Sequence, residues 1–177
     1  VFILGHSMGG TIALEYLRTY QDEFNGVILS SPSLKPAQRP AWITRAACRL
    51  LSLFLPMTGV LKLDTESISR DRRVVEAYLE DPLVFKGKTP VCLVSQMLTA
   101  MDRIMENAQQ LKLPMVIFQG SRDTLVDPSG AQDFYDRAGS QDKILYIYDG
   151  LFHEVFNEPE RMRVLSDLDN WLEEKLS

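Results

Sequence analysis

Histidine is almost missing from this chain: His6 and His153 are the only two in 177 residues. Any chemistry that needs an imidazole therefore has two candidates. Cysteine is equally scarce. Cys48 and Cys92 stand far apart without metal-type spacing, which argues against a disulfide scaffold or a zinc module and fits reduced thiols in the cytoplasm. No dense basic run occurs, and the net charge is −5, so a nucleic-acid partner is not expected. No apolar run is long enough to span a bilayer, and no signal-peptide pattern heads the chain. Internal repeats and low-complexity tracts are absent as well. The chain also opens inside an apolar run, with no methionine before it, so upstream residues are expected to lie outside this sequence.

What is present begins at that opening. Val1-Phe2-Ile3-Leu4 reads as a strand buried on both faces, and Thr11 to Leu17 suits a helix. Between them stands Gly5-His6-Ser7-Met8-Gly9, a Gly-x-Ser-x-Gly sequence between strand and helix. That arrangement is a nucleophile elbow, in which a sharp, strained turn projects the serine hydroxyl above a sheet edge. Gly5 and Gly9 are expected where strand and helix approach too closely for a Cβ. The helix N-terminus supplies amide donors and partial positive charge where an oxyanion would form, and the amide of Met8 is the first of them. His6 is a poor base for Ser7, because neighbours in an elbow point in different directions.

The helix should run to about Tyr20, and Val27 to Ser30 reads as a second buried strand. Pro32, Pro36 and Pro40 then interrupt regular structure. From there to Leu113 the periodicity is helical, with no clear strand. That length exceeds a simple crossover and predicts a helical cap inserted over about 33–113 of a single 1–177 domain. Helices are expected over about 41–55, 71–80 and 90–111, the last with Met97, Met101 and Met105 at four-residue spacing. Strands follow at about 114–120 and 143–148, with helices at about 128–139 and 159–175. The last helix is expected to bury Met162, Leu165, Leu168, Trp171 and Leu172. Strand and helix alternate outside the cap, which argues for an α/β fold with a parallel sheet.

A serine nucleophile needs a base and a group to orient it. Asp123 lies in the loop after one strand and His153 in the loop after the next. In a parallel sheet those loops emerge at the carboxyl edge with Ser7. The order Ser, Asp, His is that of the α/β-hydrolase arrangement. Asp127 shares the loop with Asp123. Asp123 is nearer the strand end, whereas Asp127 precedes Pro128 and suits a helix cap.

With these residues assembled, the sequence resembles the monoacylglycerol lipase family, the lysophospholipase-like serine hydrolases of the α/β-hydrolase superfamily. The resemblance rests on Gly5-His6-Ser7-Met8-Gly9-Gly10, Ser30-Ser31-Pro32, Ser69-Arg70-Asp71 and Asp81-Pro82-Leu83. Gly120-Ser121-Arg122-Asp123 and Gly150-Leu151-Phe152-His153-Glu154 complete it. It implies a parallel sheet flanked by helices with an inserted cap, Ser7 as nucleophile, Asp123 as acid and His153 as base. It also implies that early strands, with the loop giving a second oxyanion donor, lie upstream of Val1. The implied substrate is a lipid ester with one acyl chain, a monoacylglycerol or lysophospholipid, cleaved without metal or cofactor. Met97, Met101 and Met105 are adaptable enough to line an acyl site. The apolar stretch from Phe54 to Leu61, with Arg45 and Arg49 nearby, could rest on a membrane surface, although a helix packed against its own cap is the preferred reading. The alternatives are an esterase or peptidase of the same fold and a non-catalytic lipid-binding relative. Oligomeric state is not legible.

Overall fold

The computed structural model describes residues 1–38 and 40–176. In chain order it forms β1 (Phe2–His6), α1 (Met8–Tyr20), β2 (Gly26–Ser30), α2 (Trp42–Phe54), β3 (Gly59–Leu61), α3 (Arg72–Glu80) and β4 (Thr89–Pro90). There follow α4 (Val91–Asn107), β5 (Met115–Gly120), α5 (Ser129–Arg137), β6 (Lys143–Tyr148) and α6 (Arg161–Leu176). β1, β2, β5 and β6 pair in that order, all parallel.

Parallel strands joined by helical crossovers are covered on both faces, and the central strands β2 and β5 are buried at every position and largely apolar for that reason. Val27 and Leu29 of β2 and Met115 and Ile117 of β5 face one core with Leu14, Leu17, Ile104 and Phe134. Ile28, Val116 and Phe118 face the other, with Tyr148, Val164 and Trp171. Among the described residues β1 is the outer strand, and Leu4 is 54% exposed.

On α1 one apolar stripe, Ala13 and Leu17, is buried, while Ile12, Tyr16 and Tyr20 face outward. In α6 the buried strip runs through Val164 and Trp171, with Leu168 and Leu172 packed beside them. Met162, expected inside, is 70% exposed, and Leu165 is exposed as well. At 3.6 residues per turn Leu165 falls at the margin of that strip and Met162 off it.

The segment between β2 and β5 holds α2, α3 and α4, and also a strand pair. β3 pairs antiparallel with β4, although no strand was legible there. Strands of three and two residues are too short to display an alternation. The last part of the segment, Ile104 to Leu111, joins the sheet's core. α2 is the reverse case. None of its residues is buried, and Trp42, Ile43, Leu50, Leu53 and Phe54 all stand exposed. α2 packs on α4 with Cys48 and Leu51 part-buried, and the face that carries Trp42, Leu50 and Phe54 is turned outward.

Candidate active site

Ser7 sits between β1 and α1 with φ 52° and ψ −121°, one of two non-glycine residues with positive φ among those described. Such backbone costs on the order of 1–3 kcal/mol and persists only where its surroundings enforce it. Here the Ser7 amide donates to the Ser30 carbonyl at 2.9 Å, and the Ser7 carbonyl accepts from the Ser33 amide at 3.0 Å. A Cβ on Gly5 would lie 2.6 Å from the Gly9 carbonyl oxygen, and one on Gly10 would lie 2.8 Å from Pro32 Cβ. The close approach thus falls at Gly5 and Gly10. Gly9, expected to share it, faces open space. Ser7 Oγ is 3.4 Å from Ser33 Oγ. Met8 opens α1, where the first backbone amides lack partners within the helix.

Asp123 lies just beyond β5 and His153 beyond β6, both buried. His153 Nδ1 is 2.6 Å from Asp123 Oδ2. The same oxygen accepts from Gln119 Nε2 at 3.1 Å, while Oδ1 accepts from the amides of Leu125 at 2.9 Å and Val126 at 3.1 Å. A carboxylate so bonded is fixed in orientation. Its bond to Nδ1 leaves Nε2 of His153 as the unprotonated nitrogen of the neutral ring. Ser31, whose φ is 41°, donates its hydroxyl to the His153 carbonyl at 2.6 Å.

Asp127 does other work. It accepts from the Ser129 amide at 3.0 Å at the start of α5 and pairs with Lys35 at 3.1 Å. Burial opposes its charge, but the bonds from Ser129 and Lys35 prevail and hold its carboxyl below the usual carboxylate range.

His6 stands beside the base, its ring centroid 4.9 Å from that of His153. Its Nδ1 is 3.0 Å from Ser30 Oγ and its Nε2 is 3.2 Å from Glu154. Burial raises the Glu154 carboxyl, yet the hydrogen bonds from His6 and Asn157 outweigh this and hold it below its ordinary value. Of the residues around the site, Gln119 was findable: a lone amide in the buried run Met-Val-Ile-Phe-Gln-Gly must find a partner. Ser31 and Ser33 carried no signal beyond their place after a strand.

Met101 and Met105 line a crevice of about 230 Å³ with Leu34, Leu98, Arg45 and Asp102, whereas Met97 is not part of its wall. Among the described residues no group of His, Cys, Asp and Glu side chains is arranged to hold a metal ion. No described helix is long and apolar enough to cross a membrane.

A parallel sheet with a strained serine turn after one strand and a carboxylate–imidazole pair after later strands, in that chain order, is the α/β-hydrolase arrangement. Residues 1–160 match the family described as serine aminopeptidase, S33. The chain is 35% identical over 170 residues to the monoacylglycerol lipase of Mycolicibacterium smegmatis, covering 96% of this chain and 61% of that protein. It is 34% identical over 180 residues to the monoglyceride lipase of Rattus norvegicus, covering 59% of it. The chain thus spans about three fifths of the length of these relatives. Among solved structures, the monoacylglycerol lipase of Paleococcus ferrophilus superposes with a TM-score of 0.90 at 28% identity, over 98% of this chain and 68% of that one. The chain belongs to this family, with the α/β-hydrolase fold, and is similar over its length to monoacylglycerol lipases.

Proposed function

We propose that this protein hydrolyses lipid esters bearing a single acyl chain, monoacylglycerols before lysophospholipids, through an acyl-enzyme on Ser7. The observation that carries the reading is the Asp123–His153 bond, joined to the serine turn through a single short segment. Ser33 bonds the backbone of Ser7 and Ser31 bonds that of His153, so residues 31–33 tie the serine turn and the histidine loop to one short segment.

The chemistry follows from those groups. Nε2 of His153 takes the Ser7 proton as Oγ attacks the ester carbonyl, and Asp123 stabilises the imidazolium that results. The Met8 amide donates to the tetrahedral oxyanion. The imidazolium then protonates the leaving alcohol, and a water activated by the same imidazole releases the fatty acid. The step needs neither metal nor cofactor. The 33–113 segment acts as a cap of this one domain, with Met97, Met101 and Met105 as candidate contacts for the acyl chain. The outward apolar face of α2 is its candidate contact with lipid surfaces.

A fluorophosphonate probe tests the core of this reading. It should label the protein once, on the peptide containing Ser7, and a monoacylglycerol should block the labelling competitively. Absence of labelling in folded protein that binds lipid would favour the non-catalytic alternative, and preferential cleavage of a peptide substrate would favour a peptidase.

The acyl contact has its own test. Met101→Trp narrows the crevice beside Leu98 and Leu34, so long-chain esters should lose about tenfold in kcat/KM while a short acetate ester changes little. Equal losses on both substrates would reduce the methionines to packing.

A further inference from the structure

Ser69-Arg70-Asp71 is part of the family resemblance, yet the mechanism above does not use it. Asp71 has a local task, capping α3 by accepting from the Arg73 amide at 3.0 Å. Arg70 does not. Its backbone amide donates to Glu158 Oε1 at 2.7 Å and its Nε to Glu158 Oε2 at 2.5 Å, while a terminal nitrogen pairs with Glu160. Glu158 is completely buried. A buried carboxylate demands partners, and both of its oxygens find theirs on this one arginine.

The attachment extends along the chain on both sides. Ile68 and Ser69 are buried, the Glu154 amide donates to the Ile68 carbonyl at 2.8 Å, and Ser69 Oγ reaches the Asn157 carbonyl at 3.5 Å. Residues 68–70 therefore lie along residues 154–158, the short run that starts immediately after His153. At its near end this run is held by Asp123 and Ser31 through His153 itself. At its far end it is held by Arg70. A segment of six residues fixed at both ends has little freedom to shift the ring.

We propose that Arg70, acting through Glu158, is a positioning residue for His153, so that a segment inserted between β2 and β5 sets the placement of the base. The proposal rests on the serine-hydrolase reading. Misplacement of a reacting group by about 1 Å costs on the order of 10²-fold in rate. The latch touches the histidine loop rather than the ester, so its loss should appear in kcat rather than in KM.

The test compares Arg70→Met, Arg70→Lys and the double variant Arg70→Met/Glu158→Leu with the parent protein at full length. Ser7→Ala serves as the control for the underlying reading. Three quantities are read: kcat and KM for a monoacylglycerol, the thermal midpoint, and the downfield proton resonance of His153 Nδ1–H, which reports its bond to Asp123. Arg70→Met should lower kcat by about 10- to 100-fold with KM within about twofold, and should weaken or shift the resonance. Arg70→Lys, which keeps charge but loses the fork, should recover part of kcat. The double variant removes the buried charge together with its partner and should regain thermal stability without regaining kcat. Recovery of kcat along with stability in the double variant would overturn the proposal, since Arg70 would then only stabilise the fold. Parent-like kcat and resonance in Arg70→Met would overturn it as well. If Ser7→Ala kept turnover, the serine-hydrolase reading would fall instead, so the two failures are distinguishable.

Discussion

Ser7→Ala is expected to reduce monoacylglycerol hydrolysis on the order of 10⁶-fold in kcat while leaving the protein folded. The hydroxyl has no structural task comparable to its chemical one. Its nearest side-chain partner is Ser33 Oγ, at a distance of 3.4 Å. The bonds that hold the turn, to Ser30 and from Ser33, are backbone bonds that alanine retains. Alanine meets the same positive-φ strain as serine, so the substitution adds little cost of its own. Fatty-acid release and fluorophosphonate labelling measure the first half of the expectation, and the thermal unfolding midpoint the second. Turnover within tenfold of the parent by a folded Ser7→Ala protein would remove the mechanism entirely.

The second large effect separates two carboxylates four residues apart. Asp123→Asn should lower kcat about 10⁴-fold. An amide nitrogen turned toward His153 would donate to Nδ1 and force the ring proton to Nε2, where it blocks acceptance of the serine proton. Asp127→Asn should stay within a few-fold of the parent. Its side-chain oxygen can still accept from the Ser129 amide, and the lost ion pair with Lys35 is a partly exposed one worth about 0–1 kcal/mol. Asp127 is held below its ordinary pKa. Its contribution to stability is therefore complete above the unfolded carboxylate value and is lost as pH falls through the lowered one. Turnover of a monoacylglycerol by both variants decides the matter: a larger loss at Asp127 would exchange their roles.

How much of this was legible depended on length and burial. The runs Val27–Ser30 and Met115–Gly120 are largely apolar and buried throughout because helices cover both sides of the sheet, and that pattern survives without coordinates. The loops after β5 and β6 could be assigned to one sheet edge from strand direction alone. Which of Asp123 and Asp127 meets His153 depends on how the loop of residues 121–128 folds; nearness to the strand end favours Asp123, and periodicity says nothing about it. The same limit applies to β3 and β4, too short to leave a pattern, and to Gly9, whose open surroundings no composition encodes. Helical period recovered the existence of α2 and α6 but not the direction in which they face. Met162 and Trp42 are apolar and outward, and only the neighbouring elements decide that.

The stretch from Ser30 to Ser33 has a consequence for how such a chain can change length. It belongs to neither loop that carries the acid or the base, yet it bonds the backbone of Ser7 twice, the ring of His6 once and the carbonyl of His153 once. It works as a gauge block between two parts that must stay at a fixed spacing. Adding or deleting one residue within it would move serine and histidine relative to each other, whatever happened elsewhere. Lys35 and Pro36 are still tied to the loop that carries the acid, and beyond them, among the described residues, no bond reaches that loop, the serine turn or the histidine loop until the Ile68–Arg70 anchor. Length variation in the inserted segment should therefore accumulate between those two points, around α2 and β3, where side chains are already exposed. Chain length is thus rigidly set beside the serine and free to drift about thirty residues further on.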